Sequence, residues 1–91
     1  MSNNIAPDIS SIRKLAISET GFIFDPQTGH SYIVNEVGVE ILNCLKKELP
    51  GKETIEHILD NYEISLDQVK RDYDSFIIKL KHYGLYKESK R

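Results

Sequence analysis

The sequence predicts an α+β fold, in which a three-stranded antiparallel sheet is followed by three helices in a winged-helix-like order. Two observations support this prediction. The spacing of apolar residues changes from two to nearly four within residues 21–45, which is typical of a hairpin that leads into a helix. The segments with strand character are also separated by only a few residues, whereas parallel strands need a crossover of about a dozen or more. A parallel βαβ arrangement is therefore excluded.

Two runs of β-branched and aromatic residues indicate the central hairpin. The runs are residues 22–24 and 32–34, and Asp25, Pro26 and Gly29 lie between them in a pattern typical of a turn. An alternating segment at residues 13–18 predicts a strand before the hairpin. Strands joined by short turns pair in sequence order, so we expect the third strand, residues 31–34, at a free edge of the sheet.

The alternation of side chains along each strand predicts which residues share a face of the sheet. We expect one face to hold Phe22, Phe24, Tyr32 and Val34, and the other to hold Ile23 and Ile33. Both faces then carry apolar groups, and two interpretations remain open. Either one face packs on the core and the other holds scattered exposed isoleucines, or a partner covers the second face or the free edge.

Two of the predicted helices begin after residues that commonly cap helices. Asn35 is a suitable N-cap for the first helix, and Thr54 for the second. Between them, Pro50 and Gly51 predict the end of the first helix, because a helix does not continue through such a pair.

The third predicted helix has the strongest start signal. Ser65 begins a capping-box pattern, and Gly84 is a suitable C-terminal cap. Ile78 lies on the opposite side of this helix from its apolar stripe, and is a candidate contact for a partner enzyme or a second copy. The stripe itself consists of Val69, Tyr73, Phe76, Ile77, Leu80 and Tyr83.

Length and composition indicate one small domain. The chain has 91 residues, of which 40% are hydrophobic and 29% charged, which suits a single core. We expect a flexible lead-in at residues 1–12, one domain at residues 13–86 and a charged tail at residues 87–91. No apolar run approaches the roughly 20 residues that a membrane span needs, and no signal peptide is evident. These features predict a cytoplasmic protein.

The sequence offers no constellation typical of catalysis, of a metal site or of a cofactor site. The single cysteine, Cys44, lies on the apolar stripe of the first helix, so we expect it to be buried rather than reactive. The histidines His30, His57 and His82 lack the spacing of zinc ligands. The carboxylates lie on polar helix faces, where solvation is the ordinary role. We therefore expect a protein that is not an enzyme and holds no cofactor.

A winged-helix protein that binds nucleic acid is one alternative interpretation, and a regulatory or oligomerisation domain is another. The second and third predicted helices, with a short link between them, resemble a helix-turn-helix. The charge opposes this interpretation, because the net charge is −2 and the helix that would enter the groove carries Asp67, Asp72 and Asp74 among its basic residues. Binding to phosphates requires a net basic surface.

A combination of motifs, taken in order, is similar to a known family. The hairpin follows the pattern GFxFDPxTGxSYxxN, the pair Val34-Asn35 ends the third strand, and Gly38 and Ile41-Leu42 follow. Residues 15–86 thereby resemble the PqqD family of peptide chaperones, also called RiPP recognition elements. The hairpin pattern is matched by Gly21, Phe22, Phe24, Asp25, Pro26, Thr28, Gly29, Ser31, Tyr32 and Asn35.

The resemblance implies a non-catalytic adaptor. In this family, the leader segment of a ribosomally made precursor peptide lies as an added strand against the third strand, in a groove walled by the third helix. The adaptor delivers the precursor to a peptide-modifying enzyme, often a radical SAM protein. The founding member works in PQQ synthesis, and no residue of this chain points to that pathway. For the assembly itself we expect a monomer or a weak homodimer.

The candidate peptide-binding residues come from the third strand and the third helix. For the helix residues other than the lysines, the alternative role is core packing, which we expect for at least two of them. Lys70 and Lys81 are candidates because they lie beside Ile77 and would attract acidic leader residues. The other candidates are His30, Ser31, Tyr32, Ile33, Val34, Tyr73, Phe76, Ile77 and Leu80.

Overall fold

Three short strands and four helices make up the fold in a computed structural model, which describes residues 7–88. The strands form one antiparallel sheet in the order β1-β2-β3, and the predicted fold class is confirmed. A short helix that was not predicted precedes the sheet. The elements are α1 (Ser10–Arg13), β1 (Ala16–Ile17), β2 (Phe22–Phe24), β3 (Ser31–Ile33), α2 (Glu36–Lys46), α3 (Gly51–Asn61) and α4 (Leu66–His82).

The loop between β2 and β3 fixes how the two strands pair. The N–H of Asp25 donates to the carbonyl of His30 at 2.8 Å, and the N–H of Gly29 donates to the carbonyl of Asp25 at 2.8 Å. The buried Asp25 carboxylate accepts the N–H of Gln27 at 2.9 Å. Gly29 has a φ of 81°, a conformation in which a side chain is unfavourable. The loop therefore closes with residue 25 opposite residue 30.

This pairing overturns the predicted distribution of side chains between the two faces of the sheet. Phe22 pairs with Ile33 and Ile23 pairs with Tyr32, and directly opposed residues share a face. Ile23 and Tyr32 therefore lie on the core side, whereas Phe22, Phe24 and Ile33 form what we call the outer face. The physical reason is the loop closure, because a shift of one residue moves every side chain of a strand to the other face.

The predicted caps of the first and third predicted helices are confirmed. These helices are α2 and α4. The N–H of Gly38 donates to Asn35 Oδ1 at 2.8 Å, and the N–H of Gln68 donates to Ser65 Oγ at 3.1 Å. At the other end of α4, Gly84 has a φ of 77°, as expected of a glycine that follows a helix.

The predicted start of the second predicted helix, α3, is wrong. Pro50 takes the N-cap position, and Gly51 is the first residue of the helix rather than part of a stop signal. Thr54 lies inside the helix and is fully buried, so it does not cap it. Proline with φ near −65° suits the start of a helix. A side chain at Gly51 would crowd Tyr73 of α4, whose hydroxyl lies 3.1 Å from the position of a Cβ.

The N-terminal segment contributes to the packed domain. Ile9 and Ile12 are buried in the core, and Asp8 and Lys87 form a two-residue antiparallel bridge with N···O distances of 2.6 and 3.1 Å. Residues 8–12 are therefore packed rather than part of the predicted flexible lead-in. Of the rest of that lead-in, Pro7 is exposed, and residues 1–6 lie outside the described residues, as do residues 89–91 of the predicted tail.

The Asn35 cap gives a direct test of how α2 begins. We expect Asn35→Ala to lower the free energy of unfolding by about 1 kcal/mol, because the N–H of Gly38 loses its acceptor. Asn43→Ala is the matched control, since Asn43 is exposed within the same helix, where alanine is the better helix former. Urea denaturation measures both, and equal losses would show that the cap does not stabilise α2.

Candidate functional site

The strand β3 has one edge without a partner among residues 7–88. It lies at the end of the sheet and pairs only with β2. The bonds Asp25 N–H to His30 carbonyl and Val34 N–H to Gly21 carbonyl show that residues 30, 32 and 34 point their backbone groups towards β2. In an antiparallel ladder the intervening residues point the other way. The N–H and carbonyl groups of Ser31 and Ile33 therefore face the open edge.

A groove of about 460 Å³ runs beside this edge. Its first wall is formed by β3 and the residues that follow it, its second wall by α4, and its floor by α2. The walls and floor are mainly apolar, which is typical of a site that takes up side chains of a ligand. The floor residues are Val37, Gly38, Ile41 and Leu42, and the α4 residues are Asp72, Ser75, Phe76, Lys79 and Leu80.

Two contacts show how β3 and α4 run past each other across the groove. At one end the rings of Tyr32 and Tyr83 lie 4.7 Å apart, measured between centroids. At the other end Gly38 lies between Val34 and Phe76, because a Cβ on it would be 2.9 Å from Val34 Cβ and 3.3 Å from Phe76 Cε1. The strand and the helix therefore run in opposite directions along the groove. Because Gly38 has no side chain, the space between Val34 and Phe76 at the bottom of the groove stays open.

The groove carries one basic and one acidic side chain on its α4 wall. Lys79 is exposed and forms no ion pair with any of residues 7–88. Asp72 is partly buried and accepts a hydrogen bond from Gln68 Nε2 at 2.7 Å. Burial raises the pKa of the Tyr32 phenol, and the Asp25 carboxylate adds to the rise. Tyr32, on the opposite wall, therefore stays protonated at physiological pH, and the charged groups of the α4 wall are the Asp72 carboxylate and the Lys79 ammonium.

Six of the predicted site residues line the groove: Ser31, Tyr32, Ile33, Val34, Phe76 and Leu80. The other five do not line it, and a part in peptide binding stays a prediction for all eleven. Ile77 is 9% exposed and belongs to the core. Tyr73 packs against Gly51. Lys81 bonds to Glu88 at 2.7 Å, and Lys70 and His30 are exposed.

Sequence reasoning missed part of the α4 wall. Asp72, Lys79 and Tyr83 line the groove with Phe76, and these four residues are spaced by four, three and four along the chain. Phe76 and Tyr83 belong to the predicted apolar stripe, and this spacing adds Asp72 and Lys79 to the side of that stripe that lines the groove. Asp72 and Lys79 were missed because a search for apolar periodicity passes over charged residues.

The described residues hold no group of three side chains that would bind a metal ion. Cys44 is buried, as predicted, and burial raises the pKa of its thiol, with the Thr54 hydroxyl acting in the opposite direction. A thiol of raised pKa is a poor nucleophile at neutral pH. Across residues 7–88, no helix combines the length and apolar character that a bilayer span requires.

The fold and the groove define a small α+β domain with an open sheet edge, and comparison with known families identifies it. The family model described as Coenzyme PQQ synthesis protein D (PqqD) matches residues 21–85. This match covers more than half of the chain, and the protein belongs to the PqqD family. No curated protein matches the sequence.

Two solved structures share the fold. The first is TbiB1 in complex with the TbiA(beta) leader peptide, with a TM-score of 0.71 and 21% identity, over 100% of this chain and 98% of TbiB1. The second is a lasso peptide synthetase B1 complexed with the leader peptide, with a TM-score of 0.69 and 15% identity, over 89% of this chain and 96% of the synthetase chain. The likeness therefore extends over nearly the whole length of each protein.

Proposed function

We propose that this protein is a non-catalytic adaptor that binds the leader segment of a ribosomally made precursor peptide as a fourth strand of its sheet. The observation that carries the proposal is the open edge of β3 beside the groove. Membership of the PqqD family supports it over the winged-helix nucleic-acid-binding alternative, and so do the leader peptides in the two structures of the same fold.

In the proposed binding mode, backbone hydrogen bonds provide affinity and side-chain contacts in the groove provide selectivity. Ser31 and Ile33 offer two N–H and two carbonyl groups to an incoming backbone, which supplies binding energy that does not depend on sequence. Alternate side chains of the added strand then point towards α4 and enter the groove. There they meet Val34, Phe76 and Leu80. A small interface of this kind depends on a few anchoring side chains rather than on its area.

The adaptor then presents the precursor to a peptide-modifying enzyme, for which a radical SAM protein is one candidate class. Because precursor peptides of this kind are made on ribosomes, the proposed place of action is the cytoplasm. We propose a monomer or at most a weak homodimer as the working form, since strand addition needs the β3 edge of each copy to remain open.

The test is a titration of the ¹⁵N-labelled chain with synthetic leader segments of short open reading frames taken from the neighbourhood of its gene. We expect the amide signals of Ser31 and Ile33 to shift most, because their N–H groups gain acceptors. Residues of α3 far from the groove, such as Glu56, are the internal control. Shifts confined to α3, or salt-dependent binding of a duplex DNA control instead of the peptide, would contradict the proposal.

A further inference from the structure

The outer face of the sheet presents three large apolar side chains to solvent. Phe22 is 47% exposed, Phe24 39% and Ile33 77%. The strand register places all three on one side, and the core lies on the other side, against Ile23. None of the described elements covers this face. Soluble proteins rarely leave contiguous apolar groups exposed unless a partner binds them.

We propose that the outer face is the docking surface for the modifying enzyme, and that the bound leader completes this surface. The proposal rests on the proposed function. A strand added beside β3 extends the sheet, so the side chains that do not enter the groove point outward beside Ile33. The surface that the enzyme contacts then includes Phe22, Phe24, Ile33 and the outward side chains of the leader.

The size of the outer face favours the modifying enzyme, rather than a second copy of the chain, as the partner that binds there. Stable interfaces bury about 800 Å² on each partner and involve roughly 20–30 residues a side. Three partly exposed side chains fall short of that on their own, so the face is too small for a stable homodimer. With an added strand the face becomes wider and continuous with the leader. A partner that acts on the leader-bearing peptide gains most from a surface that is complete only when the peptide is bound.

The first experiment compares two substitutions on β2 with the parent. Phe22→Thr and Phe24→Thr are combined in one variant, because β2 does not border the open edge and threonine suits a strand. The components are the full chain, the synthetic leader that binds in the titration above, and a purified peptide-modifying enzyme that processes the precursor carrying that leader. We expect unchanged leader affinity and at least a tenfold loss of enzyme affinity. We also expect the parent to bind the enzyme at least tenfold more tightly with leader than without.

The matched comparison is Leu66→Thr, which changes an apolar residue that is 46% exposed at the start of α4 and does not line the groove. We expect it to leave enzyme affinity within twofold of the parent. A second measurement does not depend on the threonine variant remaining folded. Benzoylphenylalanine at position 22 is expected to cross-link to the enzyme on illumination, and at position 66 it is not.

Each contrary result has a distinct meaning. Parent-like enzyme affinity of the Phe22→Thr/Phe24→Thr variant, or cross-linking only from position 66, overturns the docking surface while leader binding persists. Sedimentation showing a dimer of the parent that this variant loses overturns it too, in favour of a second copy. Failure of the leader to bind the parent instead removes the proposed function on which the inference rests.

Discussion

Replacing Ile33 by proline is expected to remove peptide binding while leaving the fold in place. The N–H of Ile33 faces the open edge, so proline deletes a donor that the sheet itself does not use. Proline also favours the extended conformation in the residue before it, and Tyr32 is already in a strand. The incoming strand would lose one backbone hydrogen bond and meet the ring at the edge.

The expected loss of leader affinity is about 30-fold or more, which corresponds to roughly 2 kcal/mol for a lost bond and an unsatisfied acceptor. Isothermal titration calorimetry with the same synthetic leader measures it. Ile33→Thr is the matched control, because it shortens the side chain but keeps the N–H. Thermal melts of both variants check the fold. Parent-like affinity of Ile33→Pro would show that the leader does not pair with β3 at this position.

Gly21→Ala is expected to destabilise the protein severely. Gly21 precedes β2 with a φ of 97°, and a Cβ there would lie 2.1 Å from the carbonyl oxygen of Val34. A backbone oxygen is not free to move away, because the N–H of Val34 is bonded to the carbonyl of Gly21 at 2.9 Å. The clash therefore forces the end of β3 away from β2, at the point where the groove begins.

We expect a cost of about 4 kcal/mol or more, which places this change among the exceptional single substitutions. Gly29→Ala is the matched control, since its φ is 81° and a Cβ there meets nothing within 4 Å. In Gly29→Ala, the free energy of unfolding is therefore lowered only by the cost of placing alanine in a left-handed backbone conformation, about 1–2 kcal/mol. Chemical denaturation of the two variants separates steric clash from conformational strain. Equal losses would mean that the hairpin accommodates a side chain at position 21.

The fold was largely predictable because its local signals agree with its tertiary structure. Asn35 and Ser65 cap α2 and α4, and short turns placed β3 at the edge. These features depend on a few neighbouring residues. The start of α3 was not found, because a Ser/Thr/Asn/Asp residue was sought as the cap and Pro50 occupies that place. Thr54 is predicted as the cap because its burial inside α3 results from the packing of the helices and is not visible in the local sequence.

The site was predicted less completely than the fold. The β3 residues that line the groove were found from their order in the chain. Each face of β3 was nevertheless matched with the wrong face of β2, because the register depends on hydrogen bonds inside the loop, at Asp25 and Gly29. On α4, Ile77 was a candidate and is core, whereas Lys79 lines the groove. These two residues lie two positions apart on one helix. Which of them lines the groove depends on how α4 packs against β3, and the sequence of the helix alone does not show this.

The bridge between Asp8 and Lys87 brings the two ends of the described chain side by side. A domain whose ends meet can be inserted into a surface loop of another protein without stretching either polypeptide. New ends can likewise be opened elsewhere once the old ones are joined by a short linker. Grafting residues 8–87 into an unrelated scaffold is therefore a practical way to transplant the β3 edge and its groove as one portable module.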